Sequence, residues 1–168
     1  TGALTRVLRS GGVLRGVIAT GPADPRALVE RAKASPEMTG RDLVREVTCE
    51  APFDYVPPGV AADASGESYG LAPQRRAGRR LRVAAYDLGM KWNILARFAA
   101  HGCDVRVYPA TTSVTELLAW RPDGVFFSNG PGDPAATTHQ IEVLQGALAA
   151  RIPYFGICYG LQWAVVEF

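Results

Sequence analysis

LRVAAYDLGMKWNILARFAAH, residues 81–101, predicts a strand that runs almost directly into a helix. Residues 81–86 are mostly apolar, and after a short turn Ile94, Leu95 and Phe98 fall on one face at helical spacing. A strand followed by a helix is the repeating unit of βαβ folds, in which successive strands lie parallel. This stretch therefore predicts an α/β fold built on a parallel sheet.

The alternation of strand and helix continues to the end of the chain. Further strands are predicted over residues 105–108, 124–127 and 154–157, and further helices over residues 113–120, 138–150 and 160–167. The strands are apolar throughout, a pattern typical of a sheet that is covered on both faces. We therefore predict part of a three-layer α/β domain over residues 81–168.

The first 80 residues are less regular. The predicted elements there are a short helix that ends at Gly11, a strand over residues 13–19, and helices over residues 25–35 and 40–47. Prolines and glycines interrupt every period from residue 51 to residue 80, which indicates a loop or linker. We expect a small α/β remnant over residues 1–56, a linker over 57–80 and the larger domain over 81–168.

Composition and charge narrow the functional classes. A formal net charge of +2 and 48% hydrophobic residues fit a soluble globular protein and give no sign of nucleic-acid binding. No apolar run approaches the ~18 residues that span a bilayer. The arginines at 75, 76, 79 and 80 are interpreted as a solvated stretch beside the linker rather than a binding patch.

The cysteines and the chain ends give two further expectations. Three cysteines without metal-ligand spacing suggest neither a disulfide framework nor a metal site, so we expect a cytoplasmic protein. The chain does not begin with methionine and stops inside a predicted helix. We therefore expect that it is part of something longer.

The segment Gly156–Gly160, Gly-Ile-Cys-Tyr-Gly, carries the sharpest chemical signal. A turn of this kind between an apolar strand and a helix is typical of a nucleophile elbow. The glycines leave space around Cys158, and the following helix N-terminus favours the reactive thiolate. We predict that Cys158 is a nucleophile and that the backbone N–H of Tyr159 points toward a developing oxyanion. A small buried cysteine that closes a strand is the alternative.

The loop 128–134, Ser-Asn-Gly-Pro-Gly-Asp-Pro, follows the predicted strand 124–127. Its two glycines and two prolines make a rigid turn that could present N–H groups to a carboxylate or an oxyanion, although the segment taken alone is better explained as a plain turn. Asp87, Lys91 and Asn93 follow another strand and are interpreted as a capping and ion-pair cluster rather than a binding site.

The two histidines are poorly placed as bases for a cysteine nucleophile, which normally needs one within hydrogen-bond reach. His101 falls at the far end of a helix, away from the strand tips where parallel sheets place their chemistry. His139 opens the helix after the 128–134 loop and is expected on the surface. The sequence therefore predicts a nucleophile without a base.

These residues resemble the small, glutamine-hydrolysing subunit of carbamoyl phosphate synthetase. The resemblance rests on the segments 86–95, 109–112 and 128–134, and it extends to residues 4–9 and 40–47. It implies a class I glutamine amidotransferase domain, of which this chain holds the first half, preceded by the end of the subunit's N-terminal domain.

The resemblance also implies a mechanism and partners. Cys158 would attack the side-chain amide of L-glutamine, with Gly130, Gly132, Tyr159 and Gln162 as substrate-binding residues. The ammonia would pass to a large synthetase subunit, which uses ATP and magnesium to make carbamoyl phosphate for arginine and pyrimidine synthesis. No cofactor is implied for this chain itself.

Two departures from the family pattern leave alternative functions open. Tyr159 and Leu161 replace the usual leucine and histidine of the elbow, and residues 161–168 instead resemble the amidotransferase domain of CTP synthase. The family's His-x-Glu base pair does not occur in this chain, so the chain alone is expected to be inactive. The alternatives are an amidotransferase of another class I family, a catalytically incomplete docking fragment, and, least favoured, a flavodoxin-like cofactor-binding domain.

Overall fold

The computed structural model describes residues 2–12, 14–57 and 78–166. They fall into two compact units, Thr1–Thr39 and Gly40–Phe168. The predicted linker over 57–80 lies mostly on residues 58–77, outside the described residues, so the division at residues 56 and 80 stays a prediction. The same holds for Arg75 and Arg76 of the basic cluster.

The first unit contains two helices, α1 (Gly2–Gly11) and α2 (Pro25–Ala34). Both were predicted, and the Asp24 side chain caps α2 by accepting a hydrogen bond from the backbone N–H of Arg26. The predicted strand over 13–19 is wrong for residues 14–19, which belong to no strand. Apolar residues alone do not make a strand when no neighbouring strand pairs with them.

A five-stranded sheet forms the centre of the second unit. Its strands are β1 (Phe53–Asp54), β2 (Leu81–Asp87), β3 (Cys103–Pro109), β4 (Gly124–Phe127) and β5 (Tyr154–Gly156). They lie in the order β1-β3-β2-β4-β5. All neighbours are parallel except β1, which pairs antiparallel with β3. The predicted α/β fold with a parallel sheet is therefore confirmed.

Helices cover both faces of this sheet. The helices of the unit are α3 (Val44–Val47), α4 (Trp92–Ala100), α5 (Val114–Ala119), α6 (Thr138–Ala149) and α7 (Tyr159–Val166), with a 3₁₀ turn at Pro134–Ala136. Leu95 of α4 packs on one face with the side chains of Ala85 and Phe126. On the other face, α5, α6 and α7 pack against Tyr86 and Phe127. Alternate residues of one strand thus serve opposite cores, which explains the continuous apolar strands.

Two details of the second unit differ from expectation. The helix predicted over 40–47 is only one turn, α3, and β1 lies in the stretch that was interpreted as a loop. A two-residue strand bounded by prolines has no readable period. It is stabilised by its partner instead: Arg106 of β3 donates two hydrogen bonds of 2.7 Å to the carboxylate of Asp54.

Arg79 and Arg80, the described part of the basic cluster, are engaged in ion pairs. Arg79 makes a two-pronged contact with Asp123, and Arg80 lies 2.5 Å from Asp104. The guanidinium of Arg79 lowers the pKa of Asp123. Both arginines remain largely exposed, so these pairs contribute little to stability.

No helix in the described ranges is long and apolar enough to span a membrane.

Thr48 fastens the segment after α3 to the ends of two central strands. Its hydroxyl donates to the carbonyl of Asp87 at 2.7 Å and accepts from the backbone N–H of Ala110 at 2.8 Å. Beside it, the N–H of Cys49 donates to the Asp87 carboxylate at 2.9 Å. One hydroxyl therefore satisfies two backbone groups at the carboxyl ends of β2 and β3.

Thr48→Val should destabilise the protein by about 1–3 kcal/mol, because the isosteric side chain leaves the buried Ala110 N–H without an acceptor. Urea unfolding followed by circular dichroism measures the change. Thr115→Val, on an exposed position of α5, is the matched control. Equal midpoints for the two variants would contradict this role of Thr48.

Candidate active site

Cys158 occupies the turn between β5 and α7 in a left-handed backbone conformation, with φ of 54°. Its side chain is exposed, and its carbonyl accepts the hydrogen bond from Gln162 N–H at 2.9 Å that starts α7. Positive φ is uncommon and strained for a residue other than glycine, and such strain clusters at functional sites. The predicted elbow geometry is therefore present, whereas the role of Cys158 as a nucleophile stays a prediction.

The flanking glycines provide space rather than unusual backbone angles. A Cβ on Gly160 would lie 2.5 Å from the carbonyl oxygen of Phe127, and one on Gly156 would lie 2.8 Å from Leu161 N. Neither glycine has positive φ. The close contact lets Gly160 N–H donate to the carbonyl of Ser128 at 3.2 Å. The first turn of α7 thus lies directly on the end of β4.

Tyr154 adds a second restraint on the elbow. Its hydroxyl donates a hydrogen bond to the carbonyl of Gly160, in the first turn of α7. Burial raises the pKa of this tyrosine to about 12, so the hydroxyl keeps its proton, and remains a donor, further into the alkaline range than an ordinary tyrosine does. The sequence predicts Tyr154 only as a strand residue, since nothing in the strand pattern indicates a hydrogen bond to the next helix.

The loop 128–134 leaves β4 beside the elbow. Phe127 pairs with Gly156 in the parallel register, so the loop and Cys158 follow neighbouring strands at the same edge of the sheet. Within the described part of the chain, no hydrogen bond uses the N–H of Gly130, Gly132 or Tyr159. These three groups are the unpaired donors that binding of a carboxylate or an oxyanion requires.

Side chains hold this loop in place from both ends. Asn129 donates to the carbonyl of Gly89 at 2.9 Å, and Ser128 Oγ accepts from Leu88 N–H at 3.0 Å. At the other end Asp133 accepts from Gly40 N–H at 2.9 Å and from Ala135 N–H. These backbone donors lower the pKa of Asp133. The loop is a fixed structure rather than an unsupported turn.

Two glycines of the loop lie where a larger residue would clash. A Cβ at either position would lie 2.6 Å from a carbonyl oxygen, that of Leu88 for Gly130 and that of Arg41 for Gly132. Gly132 also has φ of 101°, which favours glycine. The segment around Arg41, which the sequence did not connect with the site, is therefore the support on which the loop rests.

Tyr159 and Gln162, the other predicted binding residues, differ in which of their groups could contact a substrate. The side chain of Tyr159 is only 2% exposed and packs on Trp163, so only its backbone can face a substrate. Burial raises the pKa of its hydroxyl. Gln162 is exposed on α7, one turn after Cys158.

Asp87 is a structural cap, as expected. One carboxylate oxygen accepts from Gly89 and Met90 N–H at 3.0 and 2.9 Å, and the other accepts from Cys49 N–H. Lys91 is the N-cap residue of α4 and is exposed. This geometry favours a backbone turn that starts α4 over a ligand site.

The histidines lie at two different places. His101 is the exposed C-cap of α4, as expected. The expectation of a surface position for His139 is wrong, because it is half-buried with Nε2 3.2 Å from the Thr112 carbonyl and 3.5 Å from the Tyr86 hydroxyl. The sequence could not predict these contacts, since the partners come from a different strand and loop. No group of three His, Cys, Asp or Glu side chains suited to a metal occurs among the described residues.

The comparisons with known proteins agree with this geometry. Residues 84–168 match the family described as Glutamine amidotransferase class-I. The chain is 45% identical over 163 residues to the Carbamoyl phosphate synthase small chain of Syntrophotalea carbinolica, covering 96% of this chain and 41% of the relative. The protein of the same name from Synechocystis sp. is 43% identical, with the same coverage. The chain thus spans about two fifths of the length of these relatives.

Iodoacetamide should alkylate Cys158 faster than Cys49 or Cys103. Cys158 is exposed, whereas burial and the Asp87 carboxylate raise the pKa of Cys49 to about 11 and burial raises that of Cys103. A raised pKa leaves less thiolate at pH 8 and delays the reaction until more alkaline pH. Peptide mass mapping measures the three rates, with Cys158→Ser as control. Faster labelling of Cys49 at pH 8 would refute the prediction that Cys158 is the most reactive of the three cysteines.

Gly160→Ala should destabilise the protein by roughly 1–3 kcal/mol, because the added Cβ meets the backbone of Phe127. Alanine would otherwise favour a helix. The matched control is Gly124→Ala, whose Cβ would lie 3.5 Å from the Pro153 carbonyl, an ordinary contact. Thermal unfolding compares the two. A Gly160→Ala variant as stable as the control would mean that α7 does not rest on β4 as described.

Proposed function

Because the chain belongs to the class I glutamine amidotransferase family, we propose that it supplies the nucleophile and oxyanion donors of a site that hydrolyses glutamine. The observation that carries the proposal is the exposed Cys158 at φ 54° between β5 and α7. A reactive thiol at a strained strand-to-helix turn, beside unpaired backbone N–H groups, is the arrangement that acyl transfer needs.

The proposed reaction proceeds through a thioester. The Cys158 thiolate attacks the side-chain amide carbon of glutamine, and the carbonyl oxygen becomes an oxyanion held by N–H groups of Tyr159 and of Gly130 or Gly132. The C–N bond then breaks, and ammonia leaves after its nitrogen gains a proton. Water attacks the glutamyl thioester, releases glutamate and restores the thiol. Gln162 contacts the substrate beside the elbow.

Two steps of this reaction need proton transfer. The leaving nitrogen needs an acid, and the attacking water needs a base. His139 Nε2 lies within hydrogen-bond distance of the Thr112 carbonyl and His101 caps α4, which supports the prediction that neither acts as the base. The family resemblance implies a His-x-Glu pair for these steps, and this sequence contains none.

We further propose that the ammonia is used for carbamoyl phosphate synthesis by a large partner subunit. The support is the name carbamoyl phosphate synthase small chain on the relatives. ATP and magnesium would belong to that partner, and this chain would need no cofactor. The pathway would serve arginine and pyrimidine synthesis in the cytoplasm.

The second candidate is a different class I amidotransferase, such as CTP synthase. Residues 161–168 favour it through their resemblance to that family, and the glutaminase half-reaction would be the same. The acceptor discriminates the two: ammonia released at this site would be used with bicarbonate in one case and with UTP in the other. A docking fragment without catalysis is the remaining alternative.

The chain alone should hydrolyse glutamine at most at a trace rate, because a cysteine hydrolase without its base loses several orders of magnitude in rate. It should nevertheless be labelled at Cys158 by 6-diazo-5-oxo-norleucine, a reactive glutamine analogue. A coupled glutamate assay measures turnover, and mass spectrometry locates the label.

Cys158→Ser is the control for both measurements. Robust turnover that this substitution abolishes would show that a base lies within these residues and that the interpretation of the histidines is wrong. Failure of the analogue to label Cys158 selectively would contradict the proposed function itself.

A further inference from the structure

Trp163 makes a direct hydrogen bond between the two halves of the candidate site. Its indole Nε1–H donates to the carbonyl of Pro134 at 3.1 Å, across 29 residues of sequence. Trp163 lies on α7, five residues after Cys158, and Pro134 closes the 128–134 loop that carries Gly130 and Gly132. The contact therefore joins the nucleophile's helix to the loop that holds the unpaired N–H donors.

The surroundings of Trp163 fix its orientation. The side chain is 1% exposed. Its ring lies edge-on to Phe127, with centroids 5.8 Å apart, and edge-on to Tyr159 at 5.0 Å. Packed between a strand residue and an elbow residue, the indole has little freedom to rotate, so the direction of its N–H is set by the core.

The hydrogen bond is not needed to satisfy the carbonyl that accepts it. Pro134 O also accepts from the Thr137 hydroxyl at 2.7 Å and from Thr137 N–H at 3.3 Å. Removing the indole N–H would therefore leave no unpaired acceptor. It would remove only the hydrogen bond between α7 and the loop. A phenylalanine at this position would keep the aromatic packing.

We infer that Trp163 is a positioning residue, which sets the placement of the Gly130 and Gly132 donors relative to the Cys158 thiol. This inference rests on the proposed function, because the placement matters only if a substrate touches both. A loop that moves away from α7 would bind a glutamine-like molecule less tightly, while the intrinsic reactivity of the exposed thiol would stay the same.

Trp163→Phe tests this role with two probes of Cys158. The first is 6-diazo-5-oxo-norleucine, whose diazo carbon takes up a proton and then exchanges dinitrogen for the cysteine sulfur. The second is iodoacetamide, which needs no substrate site. The concentration of the glutamine analogue that gives half-maximal labelling rate should rise roughly threefold to tenfold, the effect of losing one neutral hydrogen bond. The iodoacetamide rate should stay unchanged.

Trp120→Phe is the matched control. Trp120 lies between α5 and β4, at the amino end of that strand, and its ring faces the guanidinium of Arg82 at 4.2 Å. The substitution removes an indole N–H of the same kind away from the elbow. It should leave both labelling rates as they are in the parent chain.

Each outcome decides the question. Saturable labelling of the parent with an unchanged half-maximal concentration in Trp163→Phe overturns the inference and leaves the proposed function intact. A parallel loss with both probes also overturns it, because that indicates general damage to the elbow. No selective labelling of Cys158 in the parent overturns the proposed function and the inference together.

A measurement on the parent chain decides the case in which Trp163→Phe does not fold. The indole N–H of Trp163 should exchange with deuterium much more slowly than that of Trp92, which is 65% exposed, as followed by ¹H–¹⁵N spectroscopy. Labelling of Cys158 with the glutamine analogue should shift the Trp163 indole resonance. Rapid exchange, or a resonance that labelling leaves unchanged, overturns the inference.

Discussion

The close approach of α7 to the end of β4 is the constraint on which the candidate site depends. Gly160 can lie against the Phe127 carbonyl only because it has no Cβ, and its N–H then bonds to Ser128. With the helix held there, the chain has very few residues in which to turn from β5. Cys158 takes the resulting left-handed conformation, and the surrounding contacts offset the strain of that backbone.

Much of the fold could be predicted because its information is local. The strands at 81–87, 124–127 and 154–156 are short apolar runs, and a helical stretch follows each of them in the sequence. What could not be predicted depends on distant partners. β1 is too short to show a period, and it exists through its pairing with β3 and the Asp54–Arg106 contact.

The same distinction applies to the candidate site. The glycines around Cys158 and those in the 128–134 loop lie close together along the chain, so both segments could be identified from the sequence. The side chains that hold them in place, Tyr154 and Trp163, act on carbonyls in other elements. The expected surface position of His139 was wrong for the same reason. Its buried partners Thr112 and Tyr86 are remote in sequence, so its half-buried position could not be predicted.

Satisfied and unsatisfied polar groups are distributed unevenly around Cys158. The side chains that brace the loop, Ser128, Asn129 and Asp133, all make hydrogen bonds to backbone groups. The N–H groups of Gly130, Gly132 and Tyr159 make none within the described residues. Because unpaired donors are costly unless solvent or a ligand satisfies them, the two N–H groups of the braced loop and the one of the elbow favour a carboxylate or a developing oxyanion as their partner. Rigid bracing is what makes such donors effective, since they need not reorganise when the charge appears.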